Sequence, residues 1–177
     1  MRNFLLAAAA ATFALTAPPA LAQSRIGPAE APAPTPTSAA EYVRQAALSD
    51  RYEVESSRLA LGRAQSEELK RFAQHMIDEH TATSAALMAA LPRAGVAPPD
   101  VSAPDRVRQG LLDALQQAQN GGEFDRRYRA QQVQAHREAL ALHQNYAANG
   151  DNAVLRGVAA QTAPRVAHHL EMLNRIR

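Results

Sequence analysis

The chain has 177 residues, 19 Lys and Arg against 17 Asp and Glu, and no cysteine, so neither a disulfide nor a cysteine-linked lipid anchor can contribute to it. Its positive charge is almost all arginine, with Lys70 the only lysine, and those arginines are scattered among acids. A nucleic-acid-binding protein would instead cluster them on one face with aromatic residues between them, so that class is excluded.

Arg2 is followed by the short apolar run FLLAAAAATFALTA and then by Ala20-Leu21-Ala22. That order reads as a secretory signal peptide over residues 1–22, cut after Ala22. The run is shorter than the ~20 apolar residues a bilayer requires, Pro18-Pro19 breaks it, and no later run could cross a membrane. The expected address is therefore the periplasm or the exterior. Residues 23–37, QSRIGPAEAPAPTPT, read as an extended, disordered tether, because closely spaced prolines block helix and sheet alike.

A single folded domain is expected over 38–177, and helix signals follow one another from Ser38. Ser38-Ala39-Ala40-Glu41 has the form of a capping box, opening a helix over 39–63. A second helix is predicted over 67–91, stopped by Pro92, and a short one over 103–119, capped by Ser102 and ended by Gly121-Gly122. A fourth spans 123–148, up to Asn149-Gly150, and a fifth 152–176, capped by Asp151 or Asn152 and bent by Pro164. No stretch alternates as a strand does. Leu69, Phe72, Ala73, Met76, Ile77, Leu87, Met88 and Leu91 share one side of the second helix, and the fifth carries a similar stripe from Leu155 to Ile176. Two helical hairpins joined by a longer crossover give the plan of a ferritin-like antiparallel four-helix bundle with an extra short crossover helix.

The histidines sort by face. His75 and His80 lie five residues apart, about 140° around a helix, so the pair cannot form a zinc-protease motif. His80 falls in line with Leu69, Met76 and Leu87, whereas His75 falls with Glu68, Arg71 and Glu79 toward water. His169 lies on the apolar stripe of the fifth helix and His168 off it, and His136 and His143 both fall in the buried arc of the fourth. In the first helix Glu55 sits between Val43 and Val54 on one side and Leu48, Tyr52 and Leu59 on the other, and so reads as inward-facing. Counting about 1.5 Å per residue from the hairpin turns places His80, His136 and His169 within roughly 9 Å in height, with Glu55 about 10 Å from His80. Glu55 is thereby assigned to a separate polar pocket with His143. No histidine is preceded by an acid at i−3, which argues against a di-iron centre of the Glu-x-x-His kind.

YEVESSRLALGRAQSEELKRFAQHMIDEHT, GGEFDRRYRAQQVQAHREALALHQNYAANGDN and QTAPRVAHHLEML together resemble DUF4142, a family of exported bacterial proteins of unestablished function. The resemblance covers about residues 41–175. Its motif positions fall on Glu55, His80, Phe124, Asp125, Tyr128, His136, Pro164, His169 and Leu170, with Glu79 where an aspartate is usual and Ala163 where a leucine is usual. It implies the ferritin-like fold and export, and leaves the chemistry open.

Two readings follow. In one, His80, His136 and His169 bind a divalent transition metal such as zinc, copper, nickel or iron, with Glu55, Glu79, Asp125, Tyr128 and His143 in support or in a second pocket. In the other, the bundle is a non-catalytic structural or envelope-stress protein whose inward histidines hydrogen-bond to Tyr52, Tyr128 or Asp125 and hold no metal. The chain has no recognisable nucleophile motif or phosphate loop, which argues against an enzyme.

Overall fold

The computed structural model describes residues 38–176. These form α1 (Ala39–Arg63), α2 (Glu67–Ala94), α3 (Arg106–Gln117), α4 (Gly122–Asn149) and α5 (Ala153–Arg175), with no strand among the described residues. The expected signal peptide and tether lie outside them. No helix in the described part is long and apolar enough to cross a membrane.

Helix α1 packs against α2 and α4, and α5 packs against the same two. The apolar core falls into two clusters that fix the directions of the helices. One gathers Ala60 and Ala64 from the end of α1, Leu69, Phe72 and Met76 from the start of α2, Phe124 and Tyr128 from the start of α4, and Leu173 from the end of α5. The other gathers Tyr42 and Val43, Leu87 and Leu91, Tyr146, and Leu155 and Ala159 from the opposite ends of the same helices. Helices α1 and α5 therefore run one way, and α2 and α4 the other. Because α2 finishes where α4 does not begin, the connection from Gly95 to Gly121 travels the length of the bundle. It lays α3 against α1 and α4 on the way.

Local chemistry explains the boundaries, including those the sequence misplaced. Ser38 caps α1 by accepting from the Glu41 amide at 3.3 Å, but the expected return bond is missing, since the Glu41 carboxylate turns to Arg44 and Gln45 instead. Pro92 does not stop α2. It sits in the last turn, and the helix closes three residues later where Gly95 takes a left-handed φ of 66°. There Val96 N donates to Leu91 O and Gly95 N to Pro92 O, the paired bonds of a Schellman ending. Helix α3 begins at Arg106 because Asp105, not Ser102, caps it by accepting from the Arg108 amide at 2.9 Å. Asn152 caps α5 through the amides of Val154 and Leu155.

Two side chains tie down the connections at this end. The Arg63 guanidinium donates to the carbonyls of Leu115, Gln116 and Ala118 and to Asn120 Oδ1, all within 2.5–2.8 Å, and lies over the Phe124 ring. It thereby satisfies the carbonyls that the end of α3 leaves without helical partners. Asp125 accepts from the backbone amides of Gln65 and Ser66 at 3.0 and 2.9 Å, fixing the turn into α2.

Two glycines give opposite expectations. A Cβ at Gly157 would meet nothing within 4 Å, and its backbone is helical. Gly157→Ala should therefore stabilise the protein by about 0.5–1 kcal/mol. Gly95→Ala meets no clash either, but must hold a positive φ and should cost about 1–2 kcal/mol. Urea unfolding midpoints for the two variants, shifting in opposite directions, are the expected result.

Candidate metal centre

Between the two apolar clusters the core turns polar. Ser49, Asp50, Glu53, Ser56 and Ser57 from α1, His80 from α2, Gln132 and His136 from α4 and His169 from α5 are all buried. The helices are long and regular, so one position on each faces inward at this level. Those positions on α2, α4 and α5 are the three histidines, which are 4, 1 and 2% exposed.

The three imidazoles meet. Their ring centroids stand 5.6 Å (His80 to His136), 5.4 Å (His80 to His169) and 5.3 Å (His136 to His169) apart. One ring nitrogen from each lies within 4.8 Å of the others. Hydrogen bonds at the opposite ring edges decide which nitrogens hold lone pairs. His80 Nδ1 lies 2.8 Å from Asp50 Oδ1, and His136 Nδ1 lies 2.9 Å from the Gln132 carbonyl. Both partners only accept, so each Nδ1 carries the proton and each Nε2 is left with its lone pair. Nε2 of His80, Nε2 of His136 and Nδ1 of His169 are buried without any hydrogen-bond partner.

Helix α1 supplies the acids. Asp50 Oδ2 also accepts from Ser84 Oγ at 2.8 Å and Thr83 Oγ1 at 3.2 Å, so its carboxylate is fully engaged. Glu53 is 1% exposed, and neither of its carboxylate oxygens has a hydrogen-bond partner. Its Oε1 lies 3.6 Å from His136 Nδ1, close enough to act through charge but too far to bond. Ser56 and Gln132 complete the belt, with Gln132 Nε2 donating to Ser56 Oγ at 3.1 Å.

These neighbours set the proton affinities. Burial works against protonation of His80, but the hydrogen bond and charge of Asp50, with Glu53 and Glu79 beyond, overcome it and hold the pKa above the ordinary value. Burial pushes His136 down despite Glu53. Burial, then repulsion from His80, His136, His75 and His168, pushes His169 down to about 2. Two of the three rings are thus held neutral, the form that can bind a metal.

Other residues singled out from the sequence stand elsewhere. Glu55 does not face the core: it pairs with Arg51 at 2.7 Å and its side chain is 30% exposed. Nor does it share a pocket with His143, which lies at the other end of the bundle with Nδ1 3.1 Å from the Tyr42 hydroxyl. Glu79 pairs with Arg165 near the surface at 3.3 Å, Asp125 caps the turn into α2, and Tyr128 bonds Ser57 Oγ at 2.8 Å. Tyr52 donates to Gln131, so none of the three partners expected for hydrogen-bonded core histidines bonds one. His168 is exposed as expected. His75 is not simply on the wet face, for it is half-buried with its ring edge-on to His169 at 5.5 Å.

Asp50 and Glu53 went unrecognised in the sequence. The inward stripe of α1 runs Tyr42, Ala46, Ser49, Glu53, Ser56, Ala60, a regular alternation of four and three, but its members are small or polar. Val54 and Leu59, which suggested another face, are only half-buried.

The family model of the domain of unknown function DUF4142 matches residues 24–176. The chain belongs to the DUF4142 family. No curated protein matches it. Among solved structures, the DUF4142 chain is similar to CopM in the Cu(II)-bound form, with a TM-score of 0.67, 17% identity, and 80% of this chain and 96% of that one covered. CopM in the Cu(I)-bound form gives a TM-score of 0.62 at 19% identity over 76% of this chain and 91% of that one. A putative secreted protein, DUF305, from Streptomyces coelicolor gives 0.61 at 13% identity over 75% and 86%. At these identities the likeness is one of fold.

The buried histidines also predict how the metal-free protein responds to acid. His136, His143 and His169 are held below the ordinary histidine value, His143 at about 4 mainly by burial. Unfolding lets each take up a proton below about pH 6.5, so each removes stability as pH falls, by up to about 1.4 kcal/mol per unit. His80, held above the ordinary value, acts oppositely: its contribution is present below about 6.5 and is lost as pH rises through its raised value. Three groups oppose one, so urea midpoints of chelator-treated protein should fall between pH 7 and 5. His143→Gln should flatten part of that fall, and a midpoint that rises on acidification would contradict the burial of neutral rings.

Proposed function

We propose that this DUF4142 protein is an exported, ferritin-like four-helix bundle that binds a transition-metal ion through His80, His136 and His169. The observation that carries the reading is the convergence of three buried histidines from three helices, with one ring nitrogen of each within 4.8 Å of the others, and each ring has a buried nitrogen without a hydrogen-bond partner. A buried ring nitrogen left without a partner costs about 1–3 kcal/mol, and a cation bound among the three rings would relieve that cost. Zinc bound tetrahedrally at about 2.1 Å would set its nitrogens about 3.4 Å apart, so the rings would need to close by no more than about 1.4 Å.

The donor set suits zinc, copper, nickel or iron, since neutral imidazole binds all four. That CopM carries Cu(II) in one structure and Cu(I) in another supports a transition metal on a bundle of this kind. Asp50 behind His80 and the Gln132 carbonyl behind His136 would orient the rings and keep their lone pairs inward. The role proposed is binding rather than catalysis. The signal-like residues 1–22 and the tether 23–37 would deliver the domain to the periplasm, where it would sequester or sense the ion.

Titration of the purified protein with zinc, copper and nickel tests the reading. His80→Ala, His136→Ala and His169→Ala should each weaken binding by about two orders of magnitude or more, because three ligands define the geometry. His168→Ala, remote and exposed, should leave it unchanged and is the proper control, whereas His75 packs on His169 and is not. Affinity should fall with acid as protons compete for the imidazoles. Equal binding by the His80 variant and the parent would end the metal reading.

A further inference from the structure

We propose that Glu53, together with Asp50, makes the buried belt selective for the charge of its ion, matching it to a divalent cation and disfavouring a monovalent one. This rests on the metal reading above and adds to it the role of two acids that bind nothing themselves. The histidines offer lone pairs but no charge. Helix α1 lays its two carboxylates one turn apart on a single face, each behind a ring: Asp50 at 2.8 Å from the outer nitrogen of His80, Glu53 at 3.6 Å from that of His136.

Among the described residues, the only ion-pair contacts of these acids are with those histidines. Asp50 is spent on hydrogen bonds to His80, Ser84 and Thr83. Glu53 is different, since both its oxygens are buried and bonded to nothing. A carboxylate so placed is strongly unfavourable unless a counter-charge lies near. Packing does not require it, for a glutamine of the same shape would fill the space.

The charges balance for one kind of ion. Two carboxylates and a dication held by neutral imidazoles sum to zero in the interior, whereas a monocation leaves a net negative charge between two apolar clusters. Charge interactions there are far stronger than in water. Distance does not defeat the effect, because each acid acts through the ring it backs.

Glu53→Gln removes the charge and keeps the size. Zn(II) and Cu(I) are the probes, both closed-shell ions without a ligand-field preference, and taking each ion's ratio of variant to parent affinity cancels their difference in softness. Affinities are measured on the full chain by competition with chelators, under reducing, oxygen-free conditions for Cu(I). The expected result is a loss of about ten- to hundredfold for Zn(II) and about the square root of that, roughly three- to tenfold, for Cu(I), because the lost attraction scales with the charge of the ion. The metal-free variant should melt no lower than the parent, since it has lost an uncompensated buried acid.

Equal losses for both ions together with a lower melting temperature would make Glu53 a mere prop for His136 and overturn the proposal. Unchanged affinity for both would do so as well. If Glu53→Gln fails to melt cooperatively, Asp50→Asn carries the test, with the same sign expected in the ratio of the two affinities. A parent protein that binds neither ion would fall at an earlier step, removing the metal reading itself, and is distinguishable from these outcomes.

Discussion

The whole structure turns on the burial of ionisable groups in the middle of a helical core. At the level of His80, His136 and His169 the interior is lined by imidazole, carboxylate, amide and hydroxyl, where a bundle would ordinarily place leucine and valine. Such groups are tolerated only when bonded or charge-compensated. The protein meets part of that demand with its own atoms. Asp50 holds His80, Ser84 and Thr83, while Gln132 bonds Ser56 through its side-chain amide and His136 through its backbone carbonyl. The remainder is concentrated in three ring nitrogens, the two oxygens of Glu53 and a few neighbouring atoms.

The four long helices divide this work unequally. Helices α2, α4 and α5 each bring an imidazole, whereas α1 brings acids and small residues. Ala46, Ser49, Ser56, Ser57 and Ala60 let α1 approach its neighbours closely, and that closeness brings Asp50 to His80 and Glu53 toward His136. Above and below, aromatic residues close the core. Tyr42 stacks on Tyr146 at 3.9 Å at one end, and Phe124 lies alongside Tyr128 at the other.

Much of this was legible in the residues. Helix α1 began and ended where its cap and turn residues placed it, because capping is local chemistry between neighbours. Pro92 and Ser102 misled, since a proline near a C-terminus forfeits little and a better cap, Asp105, lay three residues on. Rotation at 100° per residue singled out His80, His136 and His169 as inward because they sit on long regular helices. The same arithmetic failed for α1, where hydrophobicity and burial part company: Val54 and Leu59 drew the stripe to the side, and Glu55 was read as inward in place of Glu53. His75 failed for another reason. The packing of α5 on α2 widens the buried arc of α2, a tertiary effect that no single helix records.

The separation of the apolar core into two clusters also bears on how the chain can change over time. Residues around Tyr42 and residues around Phe124 belong to different clusters on either side of the polar belt. Side chains without shared partners perturb stability nearly independently, so substitutions at the two ends accumulate without needing to compensate one another. Within the belt the opposite holds, since Asp50 bonds His80, Glu53 acts by charge on His136 and the three rings lie against one another, so altering one revalues the rest. The ends of the bundle are thus free to drift apart in sequence, while the middle can change only as a set.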